Sequence, residues 1–171
     1  MCPKSADGPA GRHDDVRPLV AADLRRVTEI DRAITGQSRR GFFANRFDAL
    51  SKHPGALVAL GYPRHDPLQG FLLAQILDGE FGGRFPVATM DAIGVAPGAR
   101  HQGIGRALLA ALDTQLRQRG VRELRTEAEW TADALLRLFA TAGFRLAPRY
   151  VLERPTDVPV PMIGRAAMED T

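Results

Sequence analysis

The residues best suited to chemistry by type and spacing are Arg100-His101-Gln102-Gly103-Ile104-Gly105-Arg106. They follow a strand-like run, Pro86 to Val95, that breaks at Pro97-Gly98, and they open an amphipathic run reaching about Arg119. Two glycines between arginines thus stand where a helix begins. Such a start presents backbone N–H groups without helical acceptors and carries a partial positive charge. Glycine lets a ligand approach that main chain where a Cβ would stand in the way. The chemistry this suits is binding of an anion, a pyrophosphate above all, between a strand end and a helix.

Two nucleotide-binding patterns fail here. A P-loop requires Lys-Ser or Lys-Thr after its last glycine, and Arg106-Ala107 stands there instead. The dinucleotide fingerprint requires a third small residue where this chain has Leu108. The pattern present is Arg100-x-x-Gly103-x-Gly105 after a strand ending in Val95-x-Pro97. It resembles the coenzyme A pyrophosphate loop of the GNAT superfamily, the acyl-CoA-dependent N-acyltransferases. A second segment, Leu138-Phe-Ala-Thr-Ala-Gly-Phe144, is similar to that family's ending of an aromatic residue, three others and Gly-Phe.

The resemblance implies a co-substrate, acetyl-CoA, and a layout for it. Main-chain groups at Ile93, Gly94 and Val95 would hold the pantetheine arm like an added half-strand. N–H groups from Arg100 through His101, Gln102, Gly103, Ile104 and Gly105 to Arg106 would cradle the pyrophosphate, the arginine side chains adding charge. The strand carrying Val95 would splay from its neighbour, expected at Val121–Glu129, with the thioester in the wedge. By the same resemblance Phe139 would stand near the sulfur, where many relatives have a tyrosine that protonates the leaving thiolate; a phenyl ring would fill that space but cannot donate. Ala132 stands where relatives often carry asparagine.

The implied reaction is attack of a primary amine on the thioester, which needs a base and a donor for the oxyanion. Glu127 is the first candidate base, on the charged face of the splaying strand where several relatives place a glutamate. A carboxylate in a partly dry wedge has its pKa pushed up, which suits the task. Its plain alternative is an exposed glutamate on a sheet face. Asp91 is the second candidate, because period-two alternation sets it on the same strand face as Ile93 and Val95. Its plain alternative is a salt-bridged or capping carboxylate. Asp78, Glu80, Glu127 and Glu129 would surround an incoming cation if their loops converge on one cleft mouth. A protein amine, a polyamine and a small amino compound all remain open as acceptor. Competing functions are an acyl-CoA-binding module without turnover, suggested by Phe139 and Ala132, and a binder of another phosphate ligand.

The elements that must position these residues follow from periodicity. Val16–Val20 reads as a short edge strand, because Pro18 cannot donate to a ladder. Leu24, Val27, Ile30 and Ile34 recur at helical steps up to Gly36. A second helix ends at His53-Pro54-Gly55, with Phe43, Phe47 and Leu50 inward and Arg39, Arg40 and Arg46 toward solvent. Ala56–Leu60 and Leu68–Leu77 read as strands joined by a wide turn. After the glycine loop, Ile104, Leu108, Leu112 and Leu116 line one helical face, and Val121–Glu129 alternates as a strand. Thr131 is placed to cap a helix burying Leu135, Leu138, Phe139 and Ala142, with Trp130 packed at its start. Phe144–Leu146 and Tyr150–Glu153 are the last two strands, Tyr150 having a core or rim position. The fold class is α+β: a mixed, largely antiparallel sheet of six to seven strands with helices on both faces, its central strands splayed as in GNAT proteins.

A chain of 171 residues with 44% apolar content builds one core. Residues 1–15 read as a disordered leader, 16–154 as the domain and 155–171 as a loose tail. One cysteine, Cys2, excludes an internal disulfide and suits a reducing cytoplasm. The histidines, His13, His53, His65 and His101, lack ligand spacing, so no metal site is expected. Net charge is +3 with arginines spread among acids, which gives nucleic-acid binding little support. No apolar run is long enough to cross a membrane. A homodimer is an allowed assembly.

Overall fold

Spacing of apolar side chains in α1 (Leu24–Thr35) buries Val27 and Ile30 fully, and Gly36 ends the helix. The same logic shapes α2 (Arg40–Lys52), which buries Phe43 and Phe47, and α3 (Ile104–Gln118), which buries Ile104, Leu108, Leu112 and Leu116. The computed structural model describes residues 11–63, 65, 67–79, 83–157 and 159. The remaining elements are β1 (Arg17–Pro18), β2 (Leu57–Tyr62), β3 (Gly70–Leu77), β4 (Val87–Val95), β5 (Glu123–Thr126) and α4 (Asp133–Thr141).

The strands form one sheet in the order β1-β2-β3-β4-β5, antiparallel except for the parallel pair β4–β5. Val58, Leu60, Leu72 and Ala74 pack with α3 on one face; Ala59, Phe71 and Leu73 pack with α1 and α2 on the other. Burial on both faces explains why β2 and β3 read as nearly continuous apolar runs. The α+β class, the largely antiparallel sheet and the helices on both faces are as expected. The sheet, however, has five strands among the described residues, not six to seven. Phe144–Leu146 and Tyr150–Glu153 are not strands, and Leu146, Tyr150 and Leu152 are 90–100% exposed. The sheet edge beside Arg149 is the four-residue β5, and Pro148 has no N–H to give it. Arg149 meets β5 by its side chain instead, with Nη1 3.1 Å from Glu123 Oε1. Arg125 adds a second contact at 2.6 Å, and these two hydrogen bonds hold the Glu123 carboxyl below its usual range.

Of the leader expected over 1–15, residues 1–10 lie outside the described residues, whereas His13–Asp15 form a 3-10 turn. The Gly11 N–H donates to Gln102 O at 2.7 Å, so this entry segment is tied to the glycine loop. Of the expected tail, 158 and 160–171 also lie outside.

Two packing details carry predictions. Gly94 sits opposite Phe71 on β3, and a Cβ there would stand 2.6 and 2.9 Å from ring atoms and 3.1 Å from Ile34 Cδ1. The Phe71 ring is itself fixed edge-on to Phe43 at 5.5 Å. Gly94→Ala is therefore expected to cost about 1–3 kcal/mol as overpacking, read as a lower urea midpoint. A midpoint equal to wild type would mean the ring has room to move.

The second detail anchors β1 to α1. Asp23, 6% exposed, accepts from Arg17 Nη1 at 2.7 Å, Arg17 Nη2 at 2.8 Å and the Val20 N–H at 2.8 Å. The Arg17 hydrogen bonds depress its pKa against the upward pull of burial. A carboxyl with a depressed folded-state pKa binds more protons unfolded than folded. Its stabilisation is complete above the ordinary value of about 3.9 and fades as pH falls through the lower folded value. Asp23→Asn should thus lose about 2 kcal/mol at neutral pH, with the gap closing in acid. Urea midpoints across pH test this; a gap constant down to the acid limit would rule out the charge as its cause.

Candidate active site

The parallel ladder between β4 and β5 runs from Val87↔Glu123 to Met90↔Thr126 and stops. Its last rung is reinforced by the Thr126 hydroxyl, which donates to Met90 O at 3.0 Å. Beyond it β4 continues alone on that side for five residues, Asp91 to Val95, while still paired to β3 through Gly70↔Val95. The strands therefore part at Met90/Thr126. The Ala96 N–H donates toward β3, to Gln69 O at 2.7 Å. Alternation along the strand then sends the N–H and C=O of Ile93 and Val95 to the unpaired side.

The chain leaves β4 through a 3-10 turn at Pro97–Ala99 and passes Arg100, His101 and Gln102, all exposed. His101 has φ 64° and Gly103, the residue capping α3, φ 76°. The first bond of the helix runs from the Ala107 N–H to Gly103 O at 3.0 Å. The N–H groups of Ile104, Gly105 and Arg106 precede it and lack helical acceptors. Gly70 lets the helix start lie close on the sheet: a Cβ there would stand 2.7 Å from Ile104 Cγ2. Gly105 has a use the sequence did not disclose, since its Cβ would come within 3.0 Å of Leu138 Cδ2. It makes room for α4 as well as for any ligand. The same helix buries Phe139, 5% exposed, whose ring lies 5.0 Å from Phe144.

Both candidate carboxylates stand at the fork, one residue past the last rung. Glu127 follows β5 in an exposed irregular segment rather than on a strand, since β5 ends at Thr126. Asp91 corrects the expected strand face. A bulge in β4 sets the register from Ala74↔Met90 to Leu73↔Ala92, so Asp91 is the extra residue. Ile93 and Val95 consequently pack toward α3, while Asp91 points at α2. Its carboxylate, 11% exposed, lies 2.8 Å from Arg46 Nε and accepts from Gln75 Nε2 at 3.0 and 2.8 Å.

A family model for the acetyltransferase (GNAT) family matches residues 24–144. The chain belongs to the GNAT acetyltransferase family. Comparison with curated proteins gave no match. Among solved structures, a transcriptional regulator from Bacillus halodurans is 17% identical, TM-score 0.70, covering 82% of this chain and 97% of its own. Aminoglycoside 6'-N-acetyltransferase AAC(6')-Ig from Acinetobacter haemolyticus is 17% identical, TM-score 0.67, with coverages of 82% and 97%. Aminoglycoside N-acetyltransferase AAC(6')-Iy in complex with CoA is 18% identical, TM-score 0.69, with coverages of 83% and 94%. At these identities the likeness is one of fold.

Within the GNAT frame, several sequence expectations need correction. Asp78 follows the rung Leu77↔Val87, at the opposite end of the β4–β5 ladder from Glu127, so these acids do not share one mouth. Glu129 is exposed and Glu80 lies outside the described residues. Trp130 is 84% exposed and Tyr150 94%, so neither packs in the core. Thr131 does not cap α4; Ala132 holds that position without a side-chain bond. The sequence missed Arg46 and Gln75 as partners of Asp91. Arg39 is exposed, as expected, and also pairs with Asp31, whose side chain is 3% exposed, a contact that raises the arginine pKa. No local signal marks these pairings, because their partners come from other elements. Among the described residues there is no cluster able to hold a metal ion and no helix long and apolar enough to cross a membrane.

Proposed function

We propose that this GNAT protein is an N-acetyltransferase that moves the acetyl group of acetyl-CoA to a primary amine by direct attack in a ternary complex. The observation that carries the reading is the parting of β4 from β5 beside a helix start whose first N–H groups precede the first helical hydrogen bond. The residues present fit the co-substrate. The open side of β4 at Ile93 to Val95 suits the amide-bearing arm, and the loop from Arg100 to Arg106 suits the pyrophosphate. Acetyl-CoA supplies the activated acyl group. Glu127 takes the proton from the attacking nitrogen, directly or through water, and Asp91 is the second candidate for that task. As the new C–N bond forms and the C–S bond breaks, the thiolate must be protonated by a group other than Phe139, which has no hydroxyl. A small-molecule amine is the favoured acceptor, a reading supported by the aminoglycoside acetyltransferases among the fold's neighbours. We place the enzyme in the cytoplasm, in keeping with a chain whose one cysteine has no internal partner.

A second reading, acyl-CoA binding without turnover, is favoured by Phe139 and by the exposure of Glu127. Release of coenzyme A thiol with a panel of amines separates the two. Amine-dependent release supports acetyl transfer; tight acetyl-CoA binding with every amine refused supports the second.

A further inference from the structure

Two ion pairs, each with a largely shielded carboxylate, lie on the α1–α2 face, and their difference is informative. Asp31 is held by Arg39 through both Nε, at 3.0 Å, and Nη2, each as a formed hydrogen bond. Such a two-point contact fixes both side chains. Arg46 holds Asp91 otherwise. Its Nε lies 2.8 Å from Oδ2, yet that buried nitrogen makes no aligned hydrogen bond. The pair is kept by charge alone. The neutral Gln75 amide, bonded to both carboxylate oxygens, orients Asp91 but does not neutralise it. An 11%-exposed carboxylate of this kind needs a cation.

The position of Asp91 gives that need a use. As the bulge residue one step past Met90↔Thr126, it stands where the wedge opens, on the α2 side. Arg46 is the more exposed partner, at 28%, and its guanidinium lies 5.0 Å from the centre of the Phe42 ring. An arginine that leaves Asp91 can keep its aromatic contact and gain water. An ammonium, with three rotatable donors, can align with Oδ2 where the planar guanidinium does not.

We propose that Asp91 anchors a cationic group of the acceptor remote from the reacting nitrogen, and that Arg46 fills this anchor until the acceptor displaces it. The acceptor class is then a small amine carrying at least two positive charges. This rests on the acetyl-transfer reading and gives Asp91 a task other than proton removal. Exchange of one cation for another leaves the buried carboxylate neutralised throughout, so the substrate meets no bare buried charge.

The test compares 1,4-diaminobutane with 1-aminobutane by calorimetry on protein saturated with coenzyme A, and by thiol release with acetyl-CoA. The diamine is expected to bind about tenfold more tightly or better, a preference that Asp91→Asn should erase. Arg46→Gln should tighten the diamine about three- to tenfold and leave the monoamine unchanged, since it removes the internal competitor. Equal affinity for the two amines, or weaker diamine binding in Arg46→Gln, overturns the anchor. Should Asp91→Asn fail to fold, the direction of the Arg46→Gln effect decides alone. Thiol release with both amines and no diamine preference would sink this inference and leave acetyl transfer standing. Diamine-selective binding without any thiol release would do the reverse.

Discussion

Gly103→Val is expected to weaken acetyl-CoA binding at least about a hundredfold, to the point where calorimetry detects no heat at micromolar protein. Gly103 has φ 76° and ψ 3°, a left-handed conformation that costs a residue with a Cβ about 1–2 kcal/mol. Valine, branched at Cβ, is among the least tolerant of it. The loop then either shifts, dispersing the N–H groups that open α3, or keeps its path and sets a side chain where the ligand passes. Both outcomes remove the anion site. The neighbouring Gly98 supplies the control, because a Cβ there meets nothing within 4 Å. Gly98→Val should bind within about threefold of wild type. Similar losses in both variants would point to general disturbance of the turn, and retained binding in Gly103→Val would remove this main chain as the ligand's holder.

Glu127→Gln is expected to lower kcat by about 10² to 10⁴, the usual worth of a positioned general base, with acetyl-CoA affinity unchanged. Glutamine keeps the size and a carbonyl acceptor but takes no proton at neutral pH. Glu127 stands one residue beyond Thr126, the last residue paired to β4, so its change leaves the ladder and the loop untouched. The diagnostic is the shape of the pH profile more than the rate. The wild-type kcat/KM should rise with pH through a limb belonging to the base, and that limb should vanish in the variant. Identical profiles would transfer the role to Asp91 or to solvent.

What the sequence disclosed depended on how local the determinant was. The helices α1, α2 and α3 were legible because each carries its own apolar stripe and a stop signal at Gly36, His53 or Gly120. The loop was legible because its glycines are fixed by covalent spacing next to a strand end. The face of Asp91 was not, since period-two counting assumes that no residue is skipped. The bulge arises from the pairing of β4 with β3, which a single segment does not encode. The pairings of Arg46 and Arg39 were missed for a related reason: helical periodicity gives which side of α2 is apolar, but not that acids of α1 and β4 await these arginines. The two final strands were over-read from short apolar runs, which specify a strand only when an edge is there to receive them.

The extra residue at Asp91 has a bearing on which sequence changes this chain can absorb. Substitutions within β4 keep the parity of the strand, whatever they do to its packing. Inserting a further residue there would instead transfer Ile93 and Val95 from the α3 side to the α1 side. Removing Asp91 would bring Met90 and Ala92 into regular pairing with Ala74 and Leu73 and leave Ile93 and Val95 on the α3 side. Related sequences should therefore tolerate loss of the bulge residue more readily than gain of another between Met90 and Gly103, and should keep glycine opposite Phe71 at position 94.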